Sequence, residues 1–241
     1  MKRRNVLRTF ALGAFAASGV AKVHAAELKG VPTETGLNPE MLPHVVHVGG
    51  KPKVLDGSNR ATVTALFDRL IPHDEHGPSA SEAGCVDFLD AQLAGPFGAS
   101  ADQYLQRPLE ANESELMGGL VELRTRKDQY LSGLQILNQT AMRESGKPIS
   151  QLAPAQIDSV LTRLEAGKLD LDKPGSGKAL FELMLQNVRE GYLSDPLYGG
   201  NRDMAGWKMV GFPGARYDYR PYVDRKGQAL GLIPISLIPN S

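Results

Sequence analysis

One cysteine, Cys85, stands among 241 residues, and that scarcity excludes several chemistries at once. Covalent haem needs C-x-x-C-H, and an iron–sulfur cluster or structural zinc site needs several thiolates. This chain alone builds none of them. A G-x-G-x-x-G turn is also missing, so no Rossmann site for flavin or nicotinamide is signalled. The nearest approach to a phosphate loop is Pro174-Gly175-Ser176-Gly177-Lys178-Ala179. Asp172 stands where G-x-x-x-x-G-K-[ST] requires glycine, and Ala179 where it requires a hydroxyl. That stretch reads as a flexible linker opening a helix. Strand signals are few, confined to Pro43–Val48 and the final stretch Leu230–Ile238.

Excess positive charge is lacking too. The formal net charge is zero, yet residues 1–25 carry Lys2, Arg3, Arg4, Arg8 and Lys22 with no acid. The remainder holds 22 basic against 27 acidic side chains, a net of −5. Nucleic acid is a poor partner for such a chain, because affinity for phosphate comes from clustered Lys and Arg. An anionic membrane surface is disfavoured on the same ground.

The basic start is followed by an uncharged run from Thr9 to Ala21, then Lys22 and the small-residue stretch Val23-His24-Ala25-Ala26. That layout predicts a signal peptide over residues 1–25, cleaved near Ala25 or Ala26. The run falls short of the roughly 20 apolar residues a membrane helix needs. Arg3 and Arg4 within Lys2-Arg3-Arg4-Asn5-Val6-Leu7-Arg8 resemble the twin-arginine export signal. Lys2 stands where Ser or Thr is usual there, and Val6 where Phe is usual. An ordinary secretory signal containing two arginines is the alternative. Either route predicts an exported protein, and the twin-arginine route carries folded cargo.

Residues 26–57 contain four prolines and six glycines or asparagines, which predicts an extended, loop-rich arm. From residue 58 the period turns helical. Ser58 is the candidate cap for Val63, Leu66, Phe67, Leu70 and Ile71, stopped by Pro72. Ser81 is the candidate cap for Cys85, Phe88, Leu89 and Leu93, ended by Gly95-Pro96. A long helix is expected from Glu113 to Ser145, with Leu116, Leu120, Leu123, Tyr130, Leu134 and Leu137 along one stripe. Another opens at Pro154, a good first-turn proline, and the last spans Lys178 to Leu193. The fold class is therefore mainly α: one compact helical domain over 58–241, with the extended N-terminal arm and an irregular, Gly- and aromatic-rich C-terminal block.

Two features admit a functional and a bland reading. His73-Asp74-Glu75-His76 offers imidazole and carboxylate ligands for a divalent metal, but its spacing suits neither a helix face nor H-E-x-x-H, and a solvated loop with an acid capping the next segment is the favoured reading. Cys85 is either a small core residue or, being odd in an exported chain, the site of an intersubunit disulfide.

From Glu190 the composition changes. The run Asp195-Pro196-Leu197-Tyr198-Gly199-Gly200-Asn201-Arg202-Asp203 continues through Gly206-Trp207-Lys208 to Phe212-Pro213-Gly214. Glycine, aromatics and charge are too dense here for a regular element. Asn201, Arg202, Asp203 and Asp218 would satisfy irregular backbone. The functional reading instead assigns Tyr198, Asn201, Arg202, Asp203, Trp207, Tyr217 and Tyr219 to a surface that anchors a protein partner.

This block, together with Leu70-Ile71-Pro72, Glu82-Ala83-Gly84 and Leu93-Ala94-Gly95-Pro96, resembles the gluconate 2-dehydrogenase subunit 3 family over about residues 60–222. The resemblance implies a non-catalytic small subunit of a three-component periplasmic dehydrogenase. In such a complex a large FAD-containing subunit oxidises the substrate and a multihaem cytochrome c passes electrons to quinone. The small subunit then holds no cofactor and no catalytic residue. It supplies the export signal for a flavoprotein that lacks one, engaging the twin-arginine translocation machinery. The complex would sit in the periplasm at the inner membrane. The same role for a glucose, fructose or sorbitol dehydrogenase, and a free-standing periplasmic metal-binding enzyme, are the alternatives.

Overall fold

The protein is described from a computed structural model, over residues 53–103, 124–216, 218–228 and 230–237. The first helix, α1 (Gly57–Leu70), begins earlier than a Ser58 cap would allow. Asp56 is the cap, accepting the Asn59 N–H at 3.0 Å, which satisfies one of the amides a helix start leaves unpaired. The apolar stripe behaves as its spacing predicts, with Val63, Leu66 and Phe67 buried.

Ser81 does not cap the second helix. Its N–H and hydroxyl both turn to the Asp68 carboxylate, at 2.8 and 2.7 Å, and the helix α2 (Cys85–Ala94) opens after Gly84 instead. Gly84 has φ +85°, a left-handed conformation that glycine adopts without Cβ strain. The long helix expected over 113–145 begins only at Arg126: Arg124 and Thr125 are not helical, and Thr125 caps the helix α3 (Arg126–Ser145). Leu116, Leu120 and Leu123 lie outside the described residues. The helix α4 (Pro154–Glu165) has its proline in the first turn, and the Gln156 side chain accepts the Ala153 N–H at 2.9 Å. The helix α5 (Ser176–Leu193) starts two residues before Lys178. The Ser176 hydroxyl accepts the Leu171 N–H at 3.0 Å and donates to the Lys173 carbonyl at 2.6 Å. The glycine-rich turn is thereby filled by the chain's own hydroxyl.

These helices pack around one core. α5 lies against α2 on one side and α4 on the other, and α1 crosses α2, α3, α4 and α5. Phe67, Leu66, Leu89, Leu134, Leu137, Leu164 and Met184 are fully buried there. Each such side chain contributes roughly 1.5–3 kcal/mol through apolar surface removed from water. Tyr130, also fully buried, donates its hydroxyl to Asn187 Oδ1 at 2.7 Å. A buried phenol hydroxyl without a partner would cost about 1–3 kcal/mol.

The last residues of the arm are fastened rather than loose. Buried Asp90 on α2 accepts the N–H groups of Lys53, Val54 and Leu55 at 2.7–2.9 Å, and Leu55 enters the core. The rest of the arm, the strand expected at 43–48, and Arg3 and Arg4 with the whole signal segment lie outside the described residues. Among the described residues no β-strand forms. Only two isolated bridges occur, Asp74 with Gly77 and Gly214 with Ile235, so the strand expected at 230–238 reduces to one bridged residue. No described helix is long and apolar enough to cross a membrane.

Candidate functional site

The chain after α5 is held by backbone contacts that only glycine permits. A Cβ on Gly200 would lie 2.1 Å from the Gly191 carbonyl oxygen, and one on Gly206 would lie 2.0 Å from that of Tyr192. Both distances are far inside van der Waals contact. The segment therefore sits directly on the last turn of α5. Contrary to the expectation of no regular element here, the short helix α6 (Ala205–Val210) forms within it.

Two side chains brace this arrangement. Asn201 is fully buried; its Nδ2 donates to the Ser194 carbonyl at 2.7 Å and its Oδ1 accepts the Gly206 N–H at 2.8 Å. Trp207 is buried as well. Its indole N–H donates to the Leu193 carbonyl at 2.7 Å, and its ring meets Phe212 edge-on at 5.2 Å. Asn201, Asp203 and Met204 all have left-handed φ, between 47° and 56°. Such backbone costs about 1 kcal/mol per non-glycine residue, offset here by the bonds just described. Arg202 and Asp203 are left on the surface, with the Arg202 guanidinium 4.0 Å from Asp87.

Further along, the chain returns to the same place. The Asp195 carboxylate accepts the Leu197 N–H, the Ser236 hydroxyl and the Leu237 N–H, each at 2.9 Å. Ile235 exchanges backbone bonds with Pro213 and Ala215, Arg216 donates to the Ile233 carbonyl at 2.6 Å, and Tyr219 donates to the Gly214 carbonyl at 2.6 Å.

This frame displays apolar surface. Of the large apolar side chains left exposed among the described residues, all except Met142 lie between Leu193 and Leu237. A largely apolar groove of about 570 Å³ runs beside α2 and α5, lined by Phe88, Gln92, Arg189, Leu193 and Tyr198. A larger hollow of about 1190 Å³ lies beside α1 and α3, but polar Asp56, Ser58, Gln135, Asn138 and Arg143 line much of it. The former includes the exposed Leu193 and Tyr198 in its lining, the latter the exposed Met142.

The chain matches the family model described as gluconate 2-dehydrogenase subunit 3 over residues 58–214. It belongs to that family. No curated protein and no solved structure matches it.

The subunit 3 match covers the groove and the braced turn, and it ends at Gly214. Within it the candidate partner residues divide. Tyr198, Arg202 and Asp203 are exposed, and so is Tyr219 beyond the match. Asn201 and Trp207 are buried internal braces of the subunit 3 block. Tyr217 lies outside the described residues. The sequence signals neither the Asp195 bonds nor the glycine contacts, although Asp195-Pro196 stands inside the motif.

Cys85 is fully buried at the start of α2. Its thiol is pushed up to about 12, by burial first and by the nearby Asp68 charge second. A thiol so placed is out of reach of another subunit's cysteine, and the intersubunit disulfide gives way to the core reading. His73 does not gather ligands. Its Nδ1 lies 2.7 Å from Glu82 Oε2, and Glu82 in turn accepts the Ser79 N–H at 2.7 Å. Asp74 bonds the His76 N–H of its own turn. Among the described residues no group of three or more His, Cys, Asp or Glu side chains is placed to hold a metal ion.

Proposed function

We propose that this chain is the non-catalytic small subunit of a periplasmic, membrane-associated, flavin-dependent gluconate 2-dehydrogenase, and that it escorts the flavoprotein subunit through twin-arginine export. Support comes foremost from one observation: among the described residues, all the exposed large apolar side chains except Met142 lie between Leu193 and Leu237. Apolar surface concentrated in one part of the described residues is of the kind that meets a protein surface. The family match supports a subunit role. Arg3 and Arg4, ahead of an uncharged run, supply the export signal in this reading. FAD and haem c belong to the large subunit and to the multihaem cytochrome c. Tyr198, Arg202, Asp203 and Tyr219 contribute to docking, while Asn201 and Trp207 keep the docking surface in shape.

A pull-down of C-terminally tagged protein from periplasm and solubilised membranes tests the reading. The eluate is scanned for flavin absorbance and for gluconate-dependent dye reduction. Co-eluting flavin with gluconate activity is the expected result, and Arg3→Lys/Arg4→Lys is expected to leave both subunits in the cytoplasm. Flavin with activity on another sugar would overturn the gluconate assignment alone. A colourless eluate from cells that express the flavoprotein well, or normal flavoprotein export with the lysine pair, would overturn the escort role.

A further inference from the structure

We propose that the segment 230–237, beyond the residues that the family model matches, is a docking rail for the large subunit. This rests on the subunit reading above and deepens it. Along the rail, side-chain exposure alternates from Gly231 to Leu237, as in an extended chain whose successive side chains point to opposite sides. From residue 233 onward the outward positions are large and aliphatic: Ile233 at 79% exposure, Ile235 at 46% and Leu237 at 63%. The inward side is where the backbone is tied down, through the Ile233 carbonyl to Arg216, both polar groups of Ile235 to Pro213 and Ala215, and the Leu237 N–H to Asp195. A segment fixed at three points, with its apolar side turned to water, is preorganised for contact, so little ordering entropy opposes binding.

Charge indicates what fits it. From Pro196 onward the chain holds six basic residues (Arg202, Lys208, Arg216, Arg220, Arg225, Lys226) against three acidic ones (Asp203, Asp218, Asp224). Residues 26–195 hold 24 acidic against 16 basic. The rail thus belongs to a net-positive C-terminal stretch of a mature chain that is acidic as a whole. A second copy placed symmetrically would set this positive stretch against itself, since a two-fold interface pairs a patch with its own image. The occupant that complements it is a different protein surface, apolar at its centre and rimmed by carboxylates. A subunit of a larger dehydrogenase has such a neighbour available in the large subunit.

The test uses the full-length tagged chain co-expressed with the flavoprotein, comparing wild type with Ile233→Asp/Leu237→Asp. Both side chains are exposed, so the variant is expected to keep the wild-type circular dichroism and Tm, checked before binding is read. Flavin recovered per tagged chain is expected to fall on the order of tenfold or more, and wild-type recovery is expected to decline with added salt. Arg225→Glu/Lys226→Glu, which leaves the apolar positions intact, is expected to reduce recovery and flatten its salt dependence. Undiminished flavin with a folded Ile233→Asp/Leu237→Asp variant overturns the rail while leaving the escort role in place. Loss of a wild-type homodimer, or of binding to phosphatidylglycerol vesicles, with flavin recovery intact, overturns it in favour of a second copy or a lipid surface. No flavin with wild type overturns the subunit reading itself.

Discussion

The indole N–H of Trp207 reaches back to the carbonyl of Leu193, 2.7 Å away, so that a residue of α6 closes the C-terminal end of α5. That carbonyl belongs to the last turn of a helix, where four backbone acceptors have no partner within the helix itself. The chain's single tryptophan is therefore a clasp between two elements. Trp207→Ala is expected to destabilise the fold by about 3–5 kcal/mol, as for other large aromatic truncations, and to loosen the whole block after Leu193. Trp207→Phe keeps most of the packing and should cost only about 1–2 kcal/mol through the lost bond. Chemical denaturation followed by circular dichroism separates the two, and equal losses would mean the hydrogen bond is not what holds the clasp.

Gly200 and Gly206 make a sharper test. Each would force a Cβ onto a backbone carbonyl of α5, whereas Gly146 has open space around it and only its φ of +68° to oppose a side chain. Gly146→Ala is expected to cost about 1 kcal/mol. Gly200→Ala and Gly206→Ala are expected to cost several times as much, since neither backbone can yield alone. Thermal melts of the three variants should rank accordingly.

Asp90 gathers three main-chain N–H groups from the end of the arm. Asp90→Asn places an amide where all three neighbours are donors, so at least one bond is lost and an N–H can face an N–H. A loss of roughly 2–3 kcal/mol is expected, with faster proteolysis near Lys53. Hydrogen exchange at Val54 and Leu55 measures this directly, and protection as in wild type would remove Asp90 from its role.

Cys85 is predicted to be inert in the folded protein. With its thiol pushed up to about 12, only on the order of one molecule in ten thousand carries the thiolate at pH 8. Labelling by a thiol-specific disulfide reagent should be negligible until denaturant is added, then stoichiometric. Rapid labelling of native protein would contradict its burial.

The His73–Glu82 pair gives a pH signature. Glu82 holds the His73 imidazolium, chiefly by their hydrogen bond, so the His73 pKa is raised; the same bond lowers that of Glu82. The raised histidine contributes stability that is present below its unfolded pKa and is lost as pH rises through its folded value. The lowered carboxylate contributes stability that is present above its unfolded pKa and is lost as pH falls through its folded value. The pair therefore helps only between these limits, in mildly acidic to neutral solution. The Tm difference between wild type and His73→Gln should appear in that window and vanish in strong acid and in alkali. Both groups are solvent-exposed, so the effect is small.

Much of the helical frame was legible, because burial imposes its period on the sequence. Val63, Leu66 and Phe67, or Leu180, Phe181, Met184 and Val188, cannot alternate that way in a strand. Helix starts were less legible, because several oxygens compete for the same amides. Asp56 precedes Ser58 and takes the cap, while Ser81 finds Asp68, thirteen residues earlier in the chain. At the candidate surface, composition marks a segment but not the direction of each side chain. Tryptophan and asparagine serve an interface and an internal brace equally well, and only the carbonyls of Leu193 and Ser194 decide between them. The outward face of Ile233, Ile235 and Leu237 read as a strand because alternation is a strand's signature; with no sheet beside it, the same alternation leaves three aliphatic side chains in water.

The absence of side chains at Gly200 and Gly206 has a consequence for when this molecule becomes recognisable. The frame that presents the exposed apolar residues is assembled on two carbonyls of α5, a helix that itself packs against α2 and α4. A chain with an unfinished core has the same apolar residues but no ordered arrangement of them. Whatever reads this surface as a shape thereby reads the completion of folding, and a partner that waits for the shape commits only to a finished subunit.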